Sequence, residues 1–166
     1  MQPKMTLPFT IRRTFAAAPE HLYHLWTTPT ELAAWFGPAG ARVSASTFDL
    51  RVGGTYHFCI ATDDGHEMWG KWTFTELMPG RSLAWRNAFS DRDGGLTRHP
   101  FAGNWPLEVQ TNLTLAAVDG GTELSLILEP IAPSTAEAET FDGAHASMQT
   151  GWDGTFAQLD AYLARG

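Results

Sequence analysis

The C-terminal part of the chain has an apolar stripe at the spacing of an α-helix. Its members are three or four residues apart: Phe141, His145, Met148, Trp152, Phe156, Leu159 and Leu163. Because a helix has about 3.6 residues per turn, these side chains lie on one face. Ser134 and Glu137 have the spacing of a capping box and mark where the helical segment starts. Glycines such as Gly143 weaken its first turns by about 1 kcal/mol each, so regular helix is predicted from near Phe141.

The chain before residue 130 has the two-residue period of β-strands. Apolar and polar side chains alternate from Phe9 to Phe15, as on a strand with one buried face. Further strands are predicted at residues 41–49, 54–62, 67–77, 82–88, 107–118 and 123–129. Turn sequences with glycine separate them, at Gly53-Gly54, Asp63-Asp64-Gly65, Met78-Pro79-Gly80 and Asp119-Gly120-Gly121. This order predicts a meander of antiparallel hairpins, against which the helix buries its stripe.

Two kinds of segment interrupt the strand pattern. Pro19 opens a short helix whose buried face is Leu22, Leu25 and Trp26. A second short helix is predicted from Thr30, as its cap, to Phe36, where the Gly37-Pro38 pair ends it. Residues 90–106 are rich in Gly, Asp, Arg and Pro and are too long for a hairpin turn. They predict a flexible loop that acts as a lid over one mouth of the sheet.

Aromatic residues are more abundant than a small core needs. The chain has seven tryptophans and ten phenylalanines, while only 17% of its residues are charged. Two predicted strands each place such side chains on one face: Tyr56, Phe58 and Ile60 on the first, and Met68, Gly70, Trp72 and Phe74 on the second. Facing the helix stripe, they predict a cavity lined by aromatic side chains, in which Gly70 leaves room. A filled aromatic core is the alternative, and it leaves the fold unchanged.

Length, charge and cysteine content limit the classes of partner. The 166 residues suit a single domain, predicted over residues 9–165 with an N-terminal tail at residues 1–8. Eleven basic and 18 acidic side chains give a net charge of −7, the wrong sign for a nucleic-acid-binding protein. The N-terminal segment lacks a signal peptide's apolar core and no run of about 18 apolar residues occurs, so we expect a cytoplasmic protein without membrane contact. Cys59 is the sole cysteine, which excludes an internal disulfide and a thiol-based zinc cluster.

The sequence contains few candidates for catalysis. It has no phosphate-binding loop, no nucleophile elbow and no closely spaced set of metal ligands, so neither a metal nor a cofactor is predicted. His21 and His24 are three residues apart but lack an obvious third ligand, and His66 and Glu67 follow a turn glycine and are expected to be exposed. His145 is the one weak catalytic candidate, because a general acid or base on the apolar stripe would reach a bound carbonyl compound. A half-buried structural histidine is the alternative.

Other polar residues fit no catalytic motif. Arg86, Asn87 and Gln149 could supply polar contacts to a ligand. Arg51 lies beside Gly53-Gly54 and is expected to hold that turn or to pair with Asp49. Neither expectation implies a reaction.

The order of the elements and their turn residues together resemble a known family. Strand, two short helices, six strands and a long C-terminal helix is the order of the helix-grip fold. Matching residues in the first third include Arg12, Phe15, Pro19, Leu22, Trp26, Trp35, Phe36, Gly37 and Pro38. Later ones include Asp49, Arg51, Gly53, Gly54, Tyr56, Gly70, Gly121, Thr122, Gly151, Trp152 and Leu159. Over residues 9–165 the chain resembles the START-like (SRPBCC, Bet v 1-like) superfamily and, within it, the Activator of Hsp90 ATPase homologue 1-like (AHSA1) family.

The resemblance implies an α+β helix-grip fold, in which a curved antiparallel β-sheet wraps around a long C-terminal α-helix, with two short helices after the first strand. It also implies a largely apolar cavity between sheet and helix that binds a small lipophilic molecule. The residues expected to contact this ligand are Tyr56, Phe58, Met68, Trp72, Phe74, Trp85, His145, Met148, Trp152 and Phe156.

The sequence leaves three functions open. The first is binding of a hydrophobic or aromatic ligand without any reaction. The second is an enzyme like the polyketide cyclases and dehydratases, in which the pocket folds a reactive chain and His145 assists proton transfer. The third is an Hsp90 co-chaperone, which is favoured least because the activator has a separate N-terminal domain for which this chain has no room. Apolar surface left by the tryptophans could also support a homodimer.

Overall fold

The computed structural model describes residues 7–37, 40–99 and 103–165. The elements in chain order are β1 (Phe9–Phe15), α1 (Pro19–Trp26), α2 (Pro29–Trp35), β2 (Arg42–Phe48), β3 (Thr55–Ala61), β4 (Glu67–Met78), β5 (Ser82–Ser90), β6 (Leu96–Thr97), β7 (Val109–Val118), β8 (Gly121–Pro130), α3 (Thr135–Gly143) and α4 (His145–Arg165). Pro38, residues 1–6 of the predicted tail and residues 100–102 of the predicted loop lie outside the described residues. Within the described ranges no helix combines the length and the apolar character needed to cross a membrane.

The eight strands of the described residues form one antiparallel sheet. Its order is β1-β8-β7-β5-β4-β3-β2, and β6 pairs with β5. The sheet is curved and does not close, and the C-terminal helices follow it, so the predicted α+β helix-grip fold is confirmed. Glycines with positive φ close the hairpins at Gly53, Gly65 and Gly80, as the turn sequences predict. Arg51 Nε donates to Asp49 Oδ2 at 2.7 Å, which confirms the predicted pair.

The two short helices begin at prolines. Pro19 is the first residue of α1, whose buried residues are Leu22, Leu25 and Trp26, as predicted. The prediction for the second helix is wrong at its start, because α2 begins at Pro29 and the predicted cap Thr30 lies inside it. Pro29 suits the first helical position since its φ is fixed and no amide hydrogen is needed there. The hydroxyl of the N-cap residue Thr28 is 3.2 Å from His24 Nδ1 and makes no capping bond to the helix backbone.

The C-terminal helical segment is divided into α3 and α4. Its predicted capping box is confirmed: the Glu137 amide donates to Ser134 Oγ at 3.1 Å, and the Ser134 amide donates to Glu137 Oε1 at 2.9 Å. The prediction that regular helix starts only near Phe141 is wrong, because α3 is already regular α-helix from Thr135 to Gly143. The irregularity lies instead at Ala144, after which α4 begins at His145. The low helix propensity of Gly143, which ends α3, accounts for the position of the break.

The C-terminal half of α4 is fastened to the sheet. Phe156 is fully buried and packs edge-on against Phe15 of β1, with ring centroids 5.5 Å apart. Near it, Arg13 Nη2 of β1 donates to Asp160 Oδ2 at 2.5 Å. One turn before Phe156, Trp152 is only half-buried. The helix is therefore held closely at its C-terminal half and less closely in the turns before it.

The predicted loop at residues 90–106 is partly regular, since β6 pairs with the end of β5. Its first turn is tied to the sheet: His57 Nε2 is 3.1 Å from the Asp91 carbonyl oxygen, and Lys71 Nζ donates to the Gly94 carbonyl at 3.1 Å. His57 and Lys71 are opposite each other on β3 and β4, on the face away from α4. The first part of the loop therefore covers the outer face of the sheet, and a lid function stays a prediction.

Candidate ligand-binding cavity

A cavity of about 180 Å³ lies between the inner face of the sheet and α4. Strands β3, β4 and β5 supply most of its lining, and Phe36, just after α2, and Trp152 of α4 cover it. The lining residues are Phe36, Phe58, Ile60, Met68, Trp69, Gly70, Trp72, Trp85, Asn87, Ala88, Phe89 and Trp152. The strand register accounts for this set, because Trp72 is opposite both Tyr56 of β3 and Asn87 of β5. Side chains of three neighbouring strands thus share one face.

Gly70 lies in the middle strand of this lining, opposite Phe58 of β3 and Phe89 of β5. A Cβ atom at this position would be only 2.6 Å from Cζ of Phe58. The Phe58 ring therefore lies over the glycine and occupies space that the sequence predicts to be open. The prediction of open space beside Gly70 is therefore wrong. Periodicity gives the face on which a side chain lies, but not which neighbouring ring packs over it. Gly70 still lines the cavity.

The cavity opens into a wider basin of about 430 Å³. The two share five lining residues: Phe36, Ile60, Met68, Phe89 and Trp152. The basin is further lined by Gly37 and by Met148, Gly151 and Thr155 of α4. Gly151 is exposed, and nothing lies within 4 Å of where its Cβ would be. The basin is therefore an entrance to the cavity, open between α4 and the ends of β3, β4 and β5.

The cavity wall is built from rings in mutual contact. Trp72 and Trp85 are stacked, with centroids 4.2 Å apart and planes at 19°. The Phe36 ring is edge-on to Trp72 at 5.5 Å and to Phe58 at 6.2 Å. Because such pairs contribute about 0.5–1.5 kcal/mol each beyond area burial, the wall is held in one geometry. The cavity is accordingly formed before any ligand arrives.

Behind this wall lie two buried polar atoms, Trp26 Nε1 and the Tyr56 hydroxyl, without a hydrogen-bond partner among the described residues. Trp26 lies against Trp85 at 6.0 Å and Trp152 at 6.4 Å, and Tyr56 is stacked on Phe58 at 4.6 Å. Burial raises the pKa of the Tyr56 hydroxyl, which stays neutral. An unpaired buried polar group costs about 1–3 kcal/mol, so the surroundings of the cavity lower the stability of the fold.

The structure separates the residues predicted to contact a ligand into three groups. Those that line the cavity are Phe58, Met68, Trp72, Trp85 and Trp152. Met148 lines the basin. Those fully buried in the core behind the wall are Tyr56, Phe74 and Phe156. The last of the ten, His145, belongs to none of these groups.

His145 lies away from the cavity. Its ring is edge-on to Phe9 at 5.7 Å and to Phe141 at 5.4 Å. Its Nε2 is buried without a hydrogen-bond partner in the described part of the chain. The structure therefore does not bring the catalytic candidate to the place where a ligand would lie, although Met148, on the next turn, reaches the basin.

Sequence reasoning missed three aromatic residues of the lining: Phe36, Trp69 and Phe89. Trp69 lies between Met68 and Gly70 on β4, so the two-residue period assigned it to the other face of the strand. Phe89 continues the alternation of Trp85 and Asn87 along β5, but the predicted strand ended at residue 88. Extending that alternation by one step would have found it. Phe36 follows α2 without a regular period, and no sequence signal indicates that its ring turns towards Trp72.

The other polar candidates have different surroundings. Asn87 lines the cavity, whereas Arg86 is exposed and Gln149 Nε2 donates to Asp153 Oδ1 at 3.0 Å. His66 is exposed at the β3–β4 turn, as predicted. Within residues 7–37, 40–99 and 103–165, no group of three His, Cys, Asp or Glu side chains has the arrangement of a metal site.

Comparison with known proteins gives a family match and structural relatives. Residues 16–164 match the model of the family described as Activator of Hsp90 ATPase homolog 1-like protein. No curated protein matches the chain. Among solved structures, protein CV1439 from Chromobacterium violaceum has a TM-score of 0.73 and 25% identity, covering 94% of this chain and 96% of its own.

Two further solved structures show the same fold at lower identity. Protein Ms6760 from Mycobacterium smegmatis has a TM-score of 0.77 and 24% identity, with 99% of this chain and 96% of that one covered. The AHSA1 protein from Silicibacter pomeroyi has a TM-score of 0.72 and 21% identity, with 95% and 98% covered. The likeness extends over nearly the full length of all these chains.

Trp152→Ala is expected to lower the free energy of unfolding by much less than Phe156→Ala, one turn away on the same stripe. Removing a fully buried large aromatic side chain costs about 3–5 kcal/mol, and Phe156 meets that condition. Trp152 is half-buried at the cavity wall and already has space beside it, so we expect less than half of that loss. Urea denaturation of both variants measures the difference. Equal losses would show that Trp152 is ordinary core.

Tyr56→Phe is expected to raise the free energy of unfolding by about 1 kcal/mol, because it removes a buried hydroxyl that lacks a partner. Tyr162→Phe is the matched control, since the Tyr162 hydroxyl donates to Glu31 of α2 and its loss should lower stability. The two variants delete the same atom and should change the urea midpoint in opposite directions. A destabilised Tyr56→Phe protein would contradict the assignment of an unpaired hydroxyl.

Proposed function

Because the chain belongs to the Activator of Hsp90 ATPase homologue 1-like family, we propose that it binds a small hydrophobic or aromatic molecule in the cavity between the sheet and α4. The observation that carries this proposal is a pre-formed cavity of about 180 Å³ with an aromatic wall and an open entrance. Binding sites for small molecules are typically concave and apolar, with few polar groups. Four of the seven tryptophans, Trp69, Trp72, Trp85 and Trp152, then have a role beyond that of a filled core.

The volume of the cavity indicates the size of the ligand. An apolar protein cavity of about 150 Å³ holds benzene, so the cavity suits a molecule with one or two aromatic rings. A longer molecule would extend into the basin beside Met148 and Gly151. Transfer of a planar apolar ring from water onto the stacked Trp72–Trp85 pair would supply the free energy of binding.

Binding without a reaction is favoured over a cyclase-like activity by the lining itself. A cyclase would need a group that transfers a proton at the bound carbonyl. The sequence offered His145 for this role, and its ring lies instead between Phe9 and Phe141. The lining side chains support binding and orientation of a ligand and supply no titratable group among the residues described.

The direct test is a thermal shift and tryptophan fluorescence titration with neutral one- and two-ring aromatics, polyketide-like compounds and fatty acids. A ligand at a hundred times its Kd stabilises the folded state by about 2.7 kcal/mol. We expect saturable quenching together with a raised Tm for the neutral aromatics. No response to any compound in the panel would contradict the proposed function.

Gly151→Leu is expected to weaken or slow this binding, because a leucine there would project over the entrance. Gly154→Leu is the matched control: Gly154 is also exposed on α4 with open space around it, but it lines neither the cavity nor the basin. Both changes remove a helical glycine and should stabilise the fold by up to about 1 kcal/mol. Equal ligand association rates in the two variants would show that entry does not pass Gly151.

A further inference from the structure

The cavity has an uneven distribution of polar groups. Asn87 is the one lining residue, among those described, with a side chain that can both donate and accept hydrogen bonds in the inner part of the cavity. We infer that Asn87 is the polar anchor that selects the ligand, and that the ligand is a neutral aromatic molecule with a hydroxyl, carbonyl or carboxamide group at its buried end. This inference rests on the proposed function, since it concerns the same cavity.

The position of Asn87 directs its amide to the cavity. Along β5 it lies between Trp85 and Phe89 in the two-residue alternation, and all three line the cavity. Its cross-strand neighbours are Trp72 of β4 and Val109 of β7, both only 2% exposed. An amide on this face is therefore surrounded by apolar side chains.

The Asn87 amide is not used by the fold. It makes no hydrogen bond to any other described residue. The side chain is half-buried and lines the cavity, so its donor and acceptor atoms are not enclosed by the core. An asparagine on the inner face of a sheet, where neighbouring positions hold Trp, Phe and Val, therefore has hydrogen-bonding capacity available for a ligand.

The lack of charged side chains in the described lining limits the polar group that a ligand can carry. Neither the cavity nor the basin is lined by a Lys, Arg, His, Asp or Glu side chain among the described residues. A carboxylate or ammonium group would lose its hydration without gaining an opposite charge, which is strongly unfavourable. The Asn87 amide can instead pair with a neutral hydroxyl or carbonyl, and can form two bonds with a carboxamide. A neutral ligand is the class that this lining accepts.

The experiment compares three ligands with the same ring system: naphthalene, 2-naphthol and 2-naphthoate. Equilibrium dialysis at pH 7 gives their Kd values for the unmodified protein and for Asn87→Leu. Asn112→Leu is the control, because Asn112 is a half-buried asparagine of β7 that does not line the cavity. Binding of naphthalene to each variant verifies that the cavity is folded. Asn87→Ala, which only removes atoms, serves the same test if leucine is not accommodated.

We expect the unmodified protein to bind 2-naphthol about tenfold more tightly than naphthalene, the ratio for one neutral hydrogen bond. Asn87→Leu should abolish that ratio while naphthalene binds as well or better, and Asn112→Leu should keep it. An unchanged ratio in Asn87→Leu, or 2-naphthoate as the tightest ligand, would overturn the anchor and leave the binding function standing. Failure of all three ligands to bind the unmodified protein would overturn both.

Discussion

The contact between Phe156 and Phe15 determines how α4 lies on the sheet. It joins the C-terminal half of the helix to β1, and the ion pair of Arg13 with Asp160 reinforces it close by. Burial along the stripe then falls from complete at Phe156 to partial at Trp152 and Met148. A stiff helix that is fixed at one part and faces a curved sheet leaves space at the next. The cavity is thus a consequence of where the helix is attached and of how the sheet bends.

That geometry also explains what the sequence could and could not predict. Hairpins, strand faces and the capping box depend on local chemistry, such as turn glycines and the Ser134–Glu137 spacing, and the structure confirms them. The stripe spacing gave the face of α4 but no distance from the sheet, so Phe156 and Trp152 were predicted as equal neighbours of a ligand. Whether a ring is core or wall is decided by the separation between elements distant in sequence. Periodicity carries no information on that separation.

Gly70 and His145 show the same limit in detail. The strand face of Gly70 and the helix face of His145 were predicted correctly. The space beside Gly70 is nevertheless occupied by the Phe58 ring, and the His145 ring lies between Phe9 and Phe141. Asn87 differs from both, because it lines the cavity, where the other lining groups are mostly apolar. The fold therefore supplies an apolar surface from many residues, and under the proposed function the selection of a ligand would rest on the few polar ones.

Whether the cavity takes a small neutral aromatic molecule is tested most directly by following the tryptophan indole N–H signals in a ¹H–¹⁵N NMR titration with 2-naphthol. The cavity wall predicts saturable shifts with a single Kd for Trp72, Trp85 and Trp152. Trp35 is an internal reference, because its Nε1 donates to the Leu25 carbonyl at 3.1 Å and it does not line the cavity. Unshifted signals of Trp72, Trp85 and Trp152 at saturating 2-naphthol would contradict a ligand-binding cavity at this site.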